Sequence, residues 1–210
     1  MKVFVVGDAV GYANFLEDAQ LVENIKDAEV VLFTGGEDVT PALYNCKKLR
    51  KTFCNTKRDL FEKEVFESVD PSKQICLGIC RGSQFLCVMN GGKLVQHCYN
   101  HALYTTHGIM DEDTCYQITS THHQMQYPYN LDEKDYKVLF ISDERRSGDY
   151  EGGGFEKEII SIKGEPEIVE YHKKGLPRCL AVQGHPEMIP TSPVAKMISN
   201  LVKEMCNEIK

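Results

Sequence analysis

Residues 75–92 read ICLGICRGSQFLCVMNGG, and this stretch decides the fold because it passes from a buried strand into a helix with one residue between them. The apolar run Ile75–Ile79 is typical of a strand buried on both faces of a parallel sheet. Arg81–Met89 is predicted to be a helix that is closed by the Asn-Gly-Gly of residues 90–92. Cys80 stands between them in a G-x-C-x-G turn, which predicts a nucleophile presented at the start of a helix.

The same alternation of elements continues on the N-terminal side of this stretch. The apolar runs Lys2–Val6 and Ala28–Phe33 each end at glycine and are predicted to be strands. Phe15, Ala19, Val22 and Ile25 recur at helical spacing, and Arg58–Val69 is predicted to be a helix with Phe61 and Val65 on one side. Strands that alternate with helices predict an α/β fold, with a mostly parallel central sheet and helices on both faces.

The C-terminal half is richer in strands. The stretch 142–154, SDERRSGDYEGGG, has the composition of a mobile loop. A last helix is predicted after Ser192, a good N-cap, with Pro193 at its first position. The predicted strands are Tyr116–Thr119, Val138–Ile141, Glu158–Ile162, Ile168–Tyr171 and Cys179–Gln183.

Length and composition limit the class of protein. We expect the 210 residues to form a single domain, and the net charge of −7 argues against nucleic acid as a partner. No apolar run reaches 18 residues, so no membrane span is expected. The N-terminus lacks the pattern of a cleavable signal, and the nine scattered cysteines are expected to be reduced thiols. We therefore predict a cytoplasmic protein, and the sequence indicates no cofactor.

A base for Cys80 is predicted at the end of another apolar strand. His185 follows Cys179–Gln183, and the carboxyl ends of parallel strands meet at one edge of a sheet. Glu187 is two residues further on, so in an extended segment its carboxylate faces the same way as the imidazole and orients it. We predict Cys80, His185 and Glu187 as nucleophile, base and orienting acid.

The oxyanion of such a reaction needs backbone N–H donors that are already in place. Arg81 offers one at the start of its helix. The Thr34-Gly35-Gly36 turn follows a second apolar strand and offers others, with no side chain in the way. We predict Gly36 and Arg81 as oxyanion donors and Gly35 as a substrate contact.

Three histidines raise the question of a metal. His97 and His101 have H-x3-H spacing, and His107 follows closely, which is a spacing found in metal sites. No cysteine or carboxylate partner is evident in the sequence, so no metal is predicted.

At this point the residues resemble a known family. LGICRGSQ at 77–84 resembles the nucleophile motif of class I glutamine amidotransferases, and VQGHPE at 182–187 resembles their His-x-Glu motif. The two are in the family's order. The resemblance implies the flavodoxin-like fold of that superfamily and a thioester intermediate on Cys80.

Three further segments are similar to the γ-glutamyl hydrolase branch, which includes the γ-glutamyl-γ-aminobutyrate hydrolases. They are GGEDVTP at 35–41 with Tyr44, Arg58-Asp59 with Glu62, and THHQ at 121–124. The likeness implies that the substrate is a small γ-glutamyl compound, contacted by Gln84, His122, His123 and Gln124. Gly184 is a departure, because the branch usually carries a bulky aromatic residue there.

Three functions remain open at this stage. The first is a stand-alone hydrolase that releases glutamate and an amine. The second is a glutaminase subunit that supplies ammonia to a separate synthase, since the chain has no fused synthase domain. The third is a non-catalytic binding protein on the same scaffold, against which the intact set Cys80, His185 and Glu187 argues.

Overall fold

The computed structural model describes residues 1–7, 9–102 and 105–209. Its strands are β1 Lys2–Val6, β2 Gln20–Leu21, β3 Val30–Phe33, β4 Ile75–Ile79, β5 Lys93–Val95, β6 His97–Cys98, β7 Thr105–Met110, β8 Cys115–Ser120, β9 Met125–Tyr127, β10 Tyr136–Ser142, β11 Tyr150–Glu151, β12 Pro166–Tyr171 and β13 Cys179–Val182. Its α-helices are α1 Thr56–Glu67, α2 Arg81–Met89, α3 Lys157–Lys163 and α4 Pro193–Glu208.

A nine-stranded sheet in the order β2-β1-β3-β4-β13-β12-β10-β7-β8 forms the centre. In this order the first five strands, from β2 to β13, are parallel to one another. Each later strand pairs antiparallel with the one before it. Following these pairings, only β12 and β7 run against the others. The first five strands have the 2-1-3-4-5 order of flavodoxin-like folds. The predicted α/β fold with a mostly parallel sheet is thus confirmed.

Helices cover both faces of this sheet, as the sequence predicts. In β3, Val31 and Phe33 join the apolar cluster under α1 and α2, while Val30 and Leu32 join the cluster under α4. The alternation follows from the two-residue period of a strand. The carboxyl ends of β3, β4 and β13 therefore meet at one edge, which places the turns after Phe33, Ile79 and Val182 together.

The last helix forms as predicted. The Ser192 side chain accepts a hydrogen bond from the backbone N–H of Ala195, and Pro193 occupies the first turn of α4. None of the helices in the described ranges is long and apolar enough to cross a membrane.

The helix predicted from Phe15 to Ile25 is wrong. The segment contains the edge strand β2, which pairs with β1 at Lys2 and Val3. Asp18 has a φ of 57°, a left-handed conformation that no α-helix accommodates. Phe15 and Leu16 are nevertheless buried, so apolar residues at helical spacing here anchor a loop.

The strand predicted at Glu158–Ile162 is also wrong, because these residues lie in α3. The backbone N–H of Gly164, at a φ of 89°, bonds to the carbonyl of Ile160 and closes the helix. Within α3, Ile162 is 83% exposed. So short an apolar alternation fits a helix as well as a strand.

Two further expectations need correction. In α1 the buried face carries Asp59, Glu62 and Phe66, while Phe61 is exposed. The stretch 142–154 includes β11, which pairs with β6, and Ser147 and Tyr150 are buried. Its middle is packed into the fold, unlike the loop that its composition predicts.

Candidate active site

Cys80 lies in the turn between β4 and α2. Its φ of 51° and ψ of −107° are unusual for a residue with a side chain. The turn is tight because a Cβ on Gly78 would lie 2.5 Å from the carbonyl oxygen of Gly82, and one on Gly82 would overlap the Phe33 carbonyl. The two glycines of G-x-C-x-G thus let α2 pack directly on β3 and β4.

His185 and Glu187 form a close pair. Glu187 Oε1 is 2.6 Å from His185 Nδ1, and both side chains are nearly buried. The link is a 3-10 turn, Pro186–Met188, rather than the extended segment that the sequence argument assumed. A carboxylate on Nδ1 leaves Nε2 free to face another group.

That other group is Cys80. Burial lowers the pKa of His185, but hydrogen bonds to Cys80 and Glu187 outweigh it and raise the pKa to about 10. The imidazole is therefore protonated at neutral pH when it faces a thiolate. The structure brings together the three residues that the sequence predicts as nucleophile, base and orienting acid.

The backbone of His185 is fixed by strand β8. Its N–H donates to Thr119 Oγ1 at 2.8 Å, and the Thr119 hydroxyl donates to the His185 carbonyl at 3.1 Å. A Cβ on Gly184 would lie 2.7 Å from the Thr119 carbonyl oxygen. Close approach of β8 thus requires glycine at 184, where the family resemblance would have suggested an aromatic residue.

A small pocket of about 170 Å³ opens beside Cys80. Most of the predicted binding residues line it, together with Glu37, Asp38, Phe53 and Thr121. The predicted residues in its wall are Gly36, Arg81, Gln84, His122, His123 and Gln124.

Gly35 is placed differently from its prediction as a substrate contact. It lies outside the wall of this pocket, where a Cβ would come 3.2 Å from His185 Cε1 and 2.5 Å from the Tyr12 hydroxyl. Tyr12 itself was not found from the sequence, which gives no signal for it. Its ring centroid is 6.1 Å from that of His185, and burial raises its pKa, with Glu187 and Cys80 adding to the shift.

On one side of the pocket, the lining residues are hydrogen-bonded to one another. The Gln124 carbonyl accepts from Gln84 Nε2 at 3.0 Å and from His122 Nδ1 at 2.9 Å. Burial lowers the pKa of His122 to about 3, so this ring is neutral. The side-chain amide of Gln124 is buried and has no hydrogen-bond partner among the described residues. It is thus an unused donor and acceptor in the pocket wall.

Beneath the turn, Arg81 has a second feature besides its backbone N–H. Its buried guanidinium pairs with Asp59 and Glu62 of α1. Arg58 donates to Glu62 Oε1 at 2.7 Å and to the carbonyls of Thr34 at 3.2 Å and Gly35 at 2.9 Å. This cluster joins the helix start at Cys80 to the turn that carries Gly36.

A family model for Peptidase C26 matches residues 6–134. The chain belongs to the Peptidase C26 family. The matched residues include Cys80 and the pocket residues His122–Gln124, and they end before His185. Membership in Peptidase C26, together with the fold, supports an enzyme of the cysteine-hydrolase type.

This Peptidase C26 member is similar to one protein with a glutamine amidotransferase name in sequence and to several solved structures in fold. The glutamine amidotransferase-like protein YvdE of Lactococcus lactis is 27% identical over 183 residues, which are 85% of this chain and 75% of that protein. A glutamine amidotransferase from Thermotoga maritima has a TM-score of 0.56 at 12% identity, covering 100% of this chain and 96% of the other. PurLQS from Thermotoga maritima has a TM-score of 0.57 at 13% identity, covering 100% and 98%. At such identities the two structures show the shared fold alone.

Proposed function

We propose that this protein hydrolyses a γ-glutamyl amide bond through a thioester on Cys80, releasing glutamate and an amine. The observation that carries the proposal is the position of His185, which bonds Glu187 through Nδ1 and lies close enough to Cys80 for this group to raise its pKa, with Cys80 in the wall of a small polar pocket.

In the first half-reaction the Cys80 thiolate attacks the amide carbonyl carbon. Negative charge develops on the carbonyl oxygen and is stabilised by the backbone N–H groups of Arg81 and Gly36. The first N–H groups of α2 have no acceptor within the helix, so Arg81 has one to give. The His185 imidazolium then donates its proton to the leaving amine, the C–N bond breaks, and the acyl group remains on sulfur.

In the second half-reaction His185 is neutral and takes a proton from water. The resulting hydroxide attacks the thioester carbonyl, and the C–S bond breaks to return the Cys80 thiolate beside the His185 imidazolium and to release a carboxylic acid, which loses its proton to solvent. Glu187 remains ionised and holds Nδ1 throughout.

The pocket suits a short polar acyl group. A volume of about 170 Å³ is below the several hundred cubic ångströms of drug-sized sites. The unpaired Gln124 amide offers a donor and an acceptor to the α-amino and α-carboxylate groups of a glutamyl unit. The exposed Phe53 and the partly exposed His123 line the pocket, so we expect the leaving amine to face solvent on that side.

A substrate panel tests the proposal. The protein is incubated with glutamine and with γ-glutamyl amides of small amines, and released glutamate is measured. Turnover of γ-glutamyl amides well above that of glutamine supports a stand-alone hydrolase. Slow cleavage of glutamine alone favours a subunit that works with a synthase, and no cleavage of any amide contradicts both.

Glu187→Gln tests the orienting role. We expect kcat to fall by about two orders of magnitude less than after loss of Cys80 or His185, because an orienting group makes no bond. The neutral amide also removes one cause of the raised pKa of His185, so this pKa falls. The alkaline limb of kcat/KM against pH should therefore move to lower pH. Wild-type turnover across the whole pH range would leave a Cys80–His185 dyad.

Arg58→Lys tests the bracing of the Gly36 turn. Lysine keeps the charge but cannot reach Glu62 and both carbonyls at once, so the oxyanion donor is misplaced. We expect kcat to fall about 10–100-fold with little change in KM. Arg178→Lys is the matched control, since Arg178 is similarly exposed and pairs with Glu170 and Glu208 away from the pocket. Equal effects of the two substitutions would argue against a positioning role for Arg58.

A further inference from the structure

Three histidines and two glutamates meet inside the fold behind the pocket. His107 lies on β7 and Glu167 on β12, while His101 precedes β7 and His122 follows β8. Glu165 precedes β12, and all five residues are buried. The carboxylate partners that the sequence failed to show are thus Glu165 for His101 and Glu167 for His107, each about sixty positions away. His97 lies apart and contacts His123.

Several polar atoms in this cluster lack a hydrogen-bond partner among the described residues. They are His101 Nδ1, His107 Nδ1, His122 Nε2 and Glu167 Oε2. Buried polar atoms in folded proteins are nearly always hydrogen-bonded, because leaving one without a partner destabilises the fold. Two of the four, His101 Nδ1 and His122 Nε2, both face Glu167, and together they indicate a missing partner that accepts lone pairs.

The hydrogen bonds that do exist direct lone pairs towards one point. His122 Nδ1 is 2.9 Å from the Gln124 carbonyl, which must accept, so Nε2 carries the lone pair. His101 Nε2 is 3.2 Å from Glu165 Oε2, which leaves the lone pair on Nδ1. Histidines that ligate metals donate their other ring N–H to a carboxylate or a carbonyl in this way.

We propose that His101, His122 and Glu167 bind a divalent cation, with Zn²⁺ as the best match. Two imidazoles and one carboxylate are a ligand set that zinc takes, leaving a fourth position open. Glu165, the Gln124 carbonyl and His107 then support the three ligands from behind.

The spacing needs little adjustment for this ion. Glu167 Oε1 is 3.7 Å from His101 Nδ1 and 3.9 Å from His122 Nε2, and one ligand atom from each residue lies within 4.8 Å of the others. Tetrahedral zinc at its usual bond lengths separates ligand atoms by about 3.3 Å. The ion also offsets the two buried carboxylates of Glu165 and Glu167, and buried charges require such compensation.

The site would be structural for the neighbouring pocket. It would join β12 to the segments that carry His101 and His122, and His122 also lines the pocket beside Cys80. A bound ion would hold the 121–124 segment in place without touching the reacting atoms.

Metal content of the full chain tests this. The protein is produced with Zn²⁺ in the medium and dialysed against metal-free buffer, and zinc is measured by plasma mass spectrometry. We expect a single Zn²⁺ per chain. Protein refolded with Co²⁺ should show visible bands of a tetrahedral ion without a thiolate charge-transfer band, which separates this site from the cysteines.

Variants locate the ion. Glu167→Gln should lose it, and Glu165→Gln should weaken Zn²⁺ binding about 10–100-fold. His172→Gln, His97→Gln and Cys80→Ser should retain the metal. If Glu167→Gln does not fold, Glu165→Gln and the Co²⁺ spectrum decide.

Three results would overturn the proposal: wild-type protein that takes up neither Zn²⁺ nor Co²⁺, metal retained by Glu167→Gln, or metal lost in His97→Gln or Cys80→Ser. The first would mean that ordered water satisfies the unpartnered ring nitrogens of the cluster.

Discussion

Cys80→Ala will abolish amide hydrolysis and leave the fold intact. The substitution removes the sulfur on which the proposed thioester forms, and no other described thiol lies in the pocket wall. In a triad whose members act as a unit, losing the nucleophile costs about 10⁶-fold in kcat. Alanine fills the same turn with one atom fewer, so we expect a change in unfolding free energy of about 1 kcal/mol or less.

Glutamate release from the best γ-glutamyl substrate measures the effect, with circular dichroism to verify folding. Cys87→Ala is the matched control, because Cys87 lies on the same helix and is buried. Full activity of Cys80→Ala would remove the thioester mechanism.

The same comparison can be made with a thiol reagent. Burial raises the pKa of Cys87 to about 12, although hydrogen bonds lower it in part, and burial also raises the pKa of Cys76 well above its ordinary value. Because the pKa of each thiol is raised, both stay protonated at neutral pH and should resist alkylation. Cys80, beside the protonated His185, should react first among the three. Peptide mass spectrometry at short reaction times identifies the modified residue.

Elements with strong local signals were predicted well from the sequence. β4 and α2 have the predicted bounds because an unbroken apolar run, a glycine-flanked turn and an Asn-Gly-Gly stop each act locally. The capped start of α4 is another such case. The residues around Phe15 and Ile160 were assigned wrongly, since in short segments pairing to β1 or a glycine stop outweighs periodicity.

The residues of the candidate site also differ in how well the sequence predicted them. Cys80, His185 and Glu187 were predicted because each lies just after a strand, in a short motif that can be recognised in the sequence. The motifs contain glycine because the backbone there approaches neighbouring elements too closely for a Cβ. Tyr12 and the carboxylate partners of Arg81 and His107 were not assigned roles, because their contacts join distant parts of the chain. A single sequence carries no signal for such long-range pairing. Arg81 was predicted only as an N–H donor. Its side chain also pairs with Asp59 and Glu62, so the turn at Cys80 is held to α1 by a buried ion cluster.

Arg81→Met will destabilise the protein strongly. Arg81 is 1% exposed, and its guanidinium pairs with Asp59 and Glu62, which are 1% and 2% exposed. Methionine fills part of the volume but leaves two buried carboxylates whose remaining partners among the described residues are Arg58 and Thr40. Removing one side of a buried ion pair costs about 3–5 kcal/mol, mostly because a charge is left uncompensated.

Urea unfolding measures this loss, and rescue identifies its cause. Adding Asp59→Asn and Glu62→Gln to Arg81→Met removes the uncompensated charges, so we expect part of the lost stability to return. The matched control is Arg178→Met, which breaks a half-exposed pair and should cost about 1 kcal/mol or less. A loss for Arg81→Met no larger than for Arg178→Met would show that the ion cluster does not hold α1 to the turn. A large loss without rescue would assign the effect to packing against Phe85, whose ring centroid lies 5.0 Å from the guanidinium carbon.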